Sequence, residues 1–246
     1  MLDLLAHSPK ALTLSAIAKQ LDIPKSSALD IIQTLQQREL IELSNPELKT
    51  YKLGINLFTL GATVINQNSL HSVARSLLTK LSHETKKTLY LGVPKQGNIV
   101  YVVKAEGGSP VRFSRSVGDT NPMYLTGIGK AILATLPDED VRELYGDGPY
   151  EKRTAQSLTS YPMLVENLKQ TRSQGYAIDD REGVDYIYCF AAPVYDYTGK
   201  AIAAISIVSL ASEIGEEEQR TYPSLVINTA LNMSRQMGFS KQQLYI

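Results

Sequence analysis

The sequence predicts an α+β protein in two parts: a small helical head with a β-hairpin, and a larger body built on an antiparallel sheet. Three observations predict it. Gly175–Leu210 reads as a strand, a polar turn, and two apolar strands joined at Asp196-Tyr197-Thr198-Gly199-Lys200; Tyr186–Tyr195 alternates, and Ala201–Leu210 is nearly all apolar, as a strand buried on both faces should be. Lys25–Arg38 sets Ala28, Ile31, Ile32 and Leu35 at the spacing of one helix face, directly after a break at Asp22-Ile23-Pro24. From residue 69 onward, strands and helices come in mixed order around the sheet.

The head, 1–54, opens with a short helix carrying Leu2, Leu4 and Leu5 that ends at Pro9, then a second helix over Ser15–Leu21. The third, Lys25–Arg38, presents Lys25, Ser26, Ser27, Asp30, Gln33, Thr34 and Gln37 outward. Leu40–Leu43, a turn at Asn45-Pro46, and Thr50–Leu53 read as a two-stranded wing, giving a winged helix-turn-helix. Ser, Thr and Gln can bond base edges, and Lys25, Lys49 and Lys52 can meet phosphates. Against this, the head holds six Lys/Arg (10, 19, 25, 38, 49, 52) and six Asp/Glu (3, 22, 30, 39, 42, 47). It is neutral, and Asp30 on the outer face repels phosphate. A protein-docking module with a solvated polar face fits the same pattern.

A linker helix follows over 55–68, with Leu57, Leu60, Val64 and Ile65 as its apolar side, a type of linker that often dimerises. The body, 69–246, begins with an amphipathic helix over Ser69–Thr85. Thr88–Pro94 and Asn98–Glu106 then form a hairpin through Lys95-Gln96-Gly97, and Val111–Ser116 reads as a short strand. Helices are expected at Gly127–Thr135, Asp138–Leu144, Tyr161–Gln174 (stopped by Gly175) and Glu216–Met237.

The 246 residues carry 25 Lys+Arg and 25 Asp+Glu, so no global charge draws the chain to nucleic acid or membrane. Its single cysteine cannot form an internal disulfide, which fits a reducing cytoplasm. MLDLLAHSP is too short and too acidic for a signal peptide, and the longest apolar run falls short of the ~20 residues of a membrane helix.

Thr126-Gly127-Ile128-Gly129-Lys130-Ala131 fails as a phosphate loop, because Tyr124 stands where the first glycine belongs and Ala131 replaces Ser/Thr. Two readings survive: glycines opening a helix whose free N–H groups favour an anion, or glycines packing on a sheet. Cys189 has no histidine near it; His7, His71 and His83 all lie in the first third. It reads as a buried structural thiol or a ligand contact rather than a nucleophile. The Asp179-Asp180 pair is a turn or a ligand anchor. No Cys/His spacing suggests zinc, and neither an enzyme nor a cofactor is expected. Polar groups converging in an apolar sheet suggest a small-molecule pocket, with the head reporting to DNA.

The order PKSSALDIIQTL, wing, TYKLG, then LTGIGKAILATLP, then GYAIDDREGVDYIYCFAAPVYDYTGKAIAAISIVS resembles the IclR family of bacterial transcriptional regulators, from about Leu2 to Gly238. The resemblance implies a winged helix-turn-helix, a linker helix and a GAF-like effector domain. It further implies a homodimer or dimer of dimers that binds double-stranded operator DNA and a small organic acid. By position, the implied effector contacts are Gly127, Ile128, Asp179, Cys189 and Ser206, with Met123, Leu125 and Tyr186 shaping the rest. The family's second serine falls on Val208, which favours an acid larger or less polar than glyoxylate. The family commonly has Arg at Asp30 and Gly at Glu39, and this chain starts almost at the first helix, without the usual lead. The expectation is weaker or differently specific DNA binding, or a true start upstream.

Overall fold

The computed structural model describes residues 1–67, 69–108, 113–241 and 244–245, and for 62, 64–67 and 69 the backbone alone. The chain divides into two compact units, Met1–Asn68 and Ser69–Ile246.

The first unit runs α1 (Leu2–Ala6), β1 (Leu12–Thr13), α2 (Leu14–Gln20), α3 (Lys25–Gln37), β2 (Ile41–Asn45), β3 (Thr50–Leu53) and α4 (Asn56–Gln67). Thr13 caps α2 by accepting the Ala16 N–H. Leu5, Ile17, Ile32, Ile41 and Tyr51 close a small core. The wing is three-stranded rather than two-stranded, in the order β1-β3-β2, because Leu12 and Thr13 pair with Tyr51 and Thr50. Ile31 is not on the inner face of α3: it is 42% exposed. The buried arc centres on Ala28, Ile32 and Leu35 and leans toward Leu29 and Gln36, which leaves Ile31 on the open flank. Glu39 adopts φ +55°, the left-handed region that favours glycine. In α4, Leu60 and Phe58 are exposed; Val64 and Ile65 lie outside the described side chains.

The second unit runs α5 (Ser69–Thr85), β4 (Thr88–Lys95), β5 (Asn98–Ala105), β6 (Thr120–Pro122), α6 (Gly127–Leu133), α7 (Asp138–Tyr145), α8 (Tyr161–Gln174), β7 (Ala177–Asp180), β8 (Ile187–Tyr195), β9 (Ala201–Leu210) and α9 (Glu216–Gln236). Six strands form one antiparallel sheet in the order β6-β5-β4-β9-β8-β7. Gln96 and Gly97 both take positive φ in the β4–β5 turn, as a two-residue hairpin that follows strand twist requires. In the β8–β9 turn, the Asp196 carboxylate accepts from the Thr198 N–H and the Lys200 N–H. The expected strand over Val111–Ser116 is absent from residues 113–116, and 111–112 lie outside the described residues; the edge strand is β6.

Side-chain alternation divides the sheet into two faces. Phe190 turns to α9, where its ring meets Tyr222 edge-on at 6.1 Å. Cys189, its neighbour, turns to α6. Helices α5 and α9 pack on the Phe190 face and α6 packs on the Cys189 face. With both faces covered, β9 is buried from Ala203 to Ser209, the pattern its apolar run predicts.

Candidate functional site

Helix α6 comes down on the sheet because of its two glycines, which do different work. A Cβ at Gly129 would lie 2.1 Å from the Met123 carbonyl oxygen and 2.3 Å from its Cα, so only glycine fits there. A Cβ at Gly127 would meet Ala191 and Cys189 at 3.4 and 3.5 Å, a tight but ordinary contact. Thr126 caps the helix, accepting the Gly129 N–H at 2.9 Å, so the amides of Gly127 and Ile128 remain at the helix start.

Between α6 and the sheet lies a cavity of about 60 Å³. That is room for roughly four water molecules. Every strand of the sheet contributes to its wall: Asn121 from β6, Tyr101 from β5, Tyr90 from β4, Ser206 and Val208 from β9, Cys189 and Ile187 from β8, Asp179 from β7. Gly127, Ile128 and Leu125 close it from the helix side, and Arg115 and Arg153 enter from loops. The structure therefore brings together Leu125, Gly127, Ile128, Asp179, Cys189, Ser206 and Val208, seven of the nine residues expected from the sequence. Met123 is buried under Gly129 instead of lining the cavity, and Tyr186 is 62% exposed on a separate surface groove.

Asp179 is sealed from water and accepts the Glu182 N–H at 2.9 Å. Burial, with the Glu182 carboxylate beside it, pushes its carboxyl up to about 7 against the pull of Lys130. Glu182 is also buried and also raised, and its Oε1 takes the Nζ of a fully buried Lys130; its Oε2 has no partner among the described residues. The loop holding Glu182 is pinned by the Thr154 and Ser157 hydroxyls, which donate to its carbonyl. Burial first, then Asp179, raises the Cys189 thiol well above its ordinary value, so it stays protonated and is no nucleophile.

On the opposite wall, Tyr90 and Tyr101 stack edge-on at 5.2 Å. Burial pushes Tyr101 up to about 12 and raises Tyr90 further, so both hydroxyls remain neutral. Tyr90 donates to the Arg115 carbonyl at 3.2 Å, and Asn121 donates to the Tyr101 oxygen at 3.4 Å. The Arg153 guanidinium is engaged by Asn121 and by both oxygens of Glu151. Tyr90, Tyr101, Arg115 and Arg153 leave no trace in the sequence: they sit on alternating strands or in loops, where a tyrosine or arginine carries no spacing signal. A larger open groove of about 890 Å³ lies past the far end of α6, but its half-buried cation, Arg172, is spent on the carbonyls of Ala134 and Leu136 and on Asp138.

In the head, Lys25, Ser26, Ser27, Asp30, Gln33 and Thr34 are all exposed on α3, and Lys49 and Lys52 are exposed on the wing. Lys52 pairs with Glu42 at 2.9 Å, and the Thr34 hydroxyl donates to the Asp30 carbonyl.

Residues 62–235 match the bacterial transcriptional regulator IclR C-terminal family, and residues 1–44 match the IclR helix-turn-helix domain. The chain belongs to the IclR family. Over 240 residues this family member is 32% identical to the HTH-type transcriptional regulator XynR of Escherichia coli, covering 97% of this chain and 94% of XynR. It is 29% identical over 238 residues to the HTH-type transcriptional repressor AllR of Salmonella typhimurium, covering 97% and 87%. An IclR transcriptional regulator from Alicyclobacillus acidocaldarius has the same fold, with a TM-score of 0.85 at 27% identity over 96% of this chain and 95% of that one. The IclR-family protein is thus a DNA-binding transcriptional regulator and not an enzyme, and the protein-docking alternative for its neutral head falls. Among the described residues no helix is long and apolar enough to cross a membrane.

Proposed function

We propose that this regulator is a cytoplasmic repressor whose body senses a small organic acid linked to carbon catabolism and whose head releases or holds operator DNA accordingly. The observation that carries the reading is the cavity itself, where Asp179, Cys189, Ser206 and the start of α6 meet inside an otherwise apolar sheet. The effector contacts are Leu125, Gly127, Ile128, Asp179, Cys189, Ser206 and Val208. The DNA contacts are Lys25, Ser26, Ser27, Gln33, Thr34, Lys49 and Lys52, with Asp30 weakening the approach. The exposed apolar residues Ile55, Phe58 and Leu60 at the start of α4 support a homodimer or dimer of dimers. A mobility-shift assay on the intergenic DNA upstream of the protein's own gene, with and without two- to six-carbon acids, tests it. The expected result is a shift that at least one acid relieves. No shift at all sinks the operator assignment, and a shift that no acid changes sinks the acid.

A further inference from the structure

The ion pairs around the cavity leave two groups over, Asp179 on one wall and Arg115 on the other. Lys130 is paired inside with Glu182, and Arg153 is held by Glu151 and Asn121. Arg115 is the cation left over: it lines the cavity, half-buried, and its guanidinium has no carboxylate partner among the described residues. Its position is fixed by more than the cavity wall. The Tyr90 hydroxyl donates to its carbonyl, and its positive charge draws Tyr90 and Tyr101 downward against the rise that burial imposes on both. A guanidinium and two neutral tyrosine hydroxyls therefore share one side of the cavity, and five donors in a planar fork suit a carboxylate. The other side carries Asp179, on the strand at the far edge of the sheet from Asn121.

We propose that Arg115 is the carboxylate anchor of this cavity, and that the effector is a monocarboxylic acid with a hydroxyl or carbonyl oxygen at its other end, directed to Asp179. The proposal rests on the reading that the cavity takes an organic acid, and it reverses the orientation expected from the sequence, in which the first amides of α6 held the acid group. Helix α6 is seven residues long and Thr126 already occupies its Gly129 amide, whereas Arg115 offers a full charge. One cation without an ion pair among the described residues answers one negative charge. A second carboxylate would meet the buried Asp179, where an unpaired charge is costly.

Calorimetric titration of the full-length protein with propionate, lactate, pyruvate, glycerate, 3-hydroxybutyrate, succinate and malate tests this. The wild type is expected to bind a hydroxy- or keto-monocarboxylate at least about tenfold more tightly than a dicarboxylate of equal length. Arg115→Gln should weaken the monocarboxylates about 10- to 100-fold while leaving the ratio of hydroxylated to plain acids unchanged. Arg115→Lys, which keeps the charge without the fork, should recover part of the loss and so separates charge from fold, and Arg142→Gln, an exposed cation outside the cavity, should stay within about threefold. If Arg115→Gln binds the acids as the wild type does, the anchor is elsewhere although the cavity still senses acids. Tighter binding of the dicarboxylates overturns the charge argument. A wild type that binds none of the seven overturns the acid-sensing reading together with this proposal.

Discussion

Lys130 and Glu182, 52 residues apart in the chain, pair inside the body with both side chains closed off from water. Asp179 lies beside them, so one cation serves two buried carboxylates. The pair joins α6 to the loop after β7, the two elements that bring Gly127 and Asp179 to the cavity. It thereby fixes the width of the space between them.

Removing the cation alone should be severe. Lys130→Met leaves Glu182 buried and uncompensated, at a cost of about 3–5 kcal/mol. The double variant Lys130→Met/Glu182→Leu should recover most of that loss, because an apolar pair of similar volume fills the same space. The chain has no tryptophan, so denaturant unfolding followed by tyrosine emission is the measurement. A double variant no more stable than Lys130→Met would show that the cost is packing and not charge.

Asp179 makes stability depend on pH in a stated direction. Its ordinary value is 3.8 and the folded chain holds its proton to about 7, so the folded state binds that proton more tightly than the unfolded one. Its ionisation therefore weakens the fold progressively as pH rises from about 4 to about 7, and the penalty is constant above that. The groups facing it are Glu182 on the loop, Lys130 on α6, Cys189 and Tyr188 on β8, and Tyr101 on β5. Asp179→Asn keeps an acceptor for the Glu182 amide and cannot ionise. Its stability relative to wild type should rise between pH 5 and pH 7.5 in denaturant titrations; a constant difference would place the titrating proton elsewhere.

The two glycines of α6 should separate fold from binding. Gly129→Ala drives a methyl into the Met123 backbone and should cost about 3 kcal/mol, at the upper end of overpacking penalties. Gly127→Ala meets Ala191, Cys189 and the Asp179 backbone nitrogen at ordinary contact distances and should fold, with a melting temperature close to wild type, yet weaken acid binding by narrowing the cavity. Equal melting temperatures for both variants would contradict the close approach at Gly129.

On the head, Gln33→Ala should cost about 1–3 kcal/mol on the operator and little on random DNA, because an exposed glutamine of α3 reads base edges. Asp30→Arg should raise affinity for DNA of any sequence, replacing repulsion with a phosphate contact. Fluorescence anisotropy on both duplexes at two salt concentrations reads the two effects; a uniform loss for Gln33→Ala would remove it from base recognition.

Much of this was legible because it rests on periodicity. The apolar run of β9, the spacing of α3 and the glycine start of α6 each leave a one-dimensional trace. Ile31 went wrong at the margin of such a trace, where a residue one step from the stripe can fall on either side. Leu12–Thr13 is too short a strand to show alternation at all. At the strands the candidate site is legible by resemblance, with Asp179, Cys189 and Val208 in register across β7, β8 and β9, and in the loops it is not. Arg115 and Arg153 reach the cavity from segments without periodicity. Lys130 looks like any lysine in a helix until Glu182 arrives from 52 residues away to neutralise it.

The cavity takes a side chain from all six strands, including the two outermost, β6 and β7, which have three and four residues and a neighbour on one side only. A molecule seated there is a strut across the whole width of the sheet. It stiffens the rims more than the middle, since the middle strands are already held on both sides. Occupancy should therefore be audible first as slower amide exchange at Thr120 and Asn121 and along Ala177–Asp180, a change in elasticity that travels without any hinge having to move.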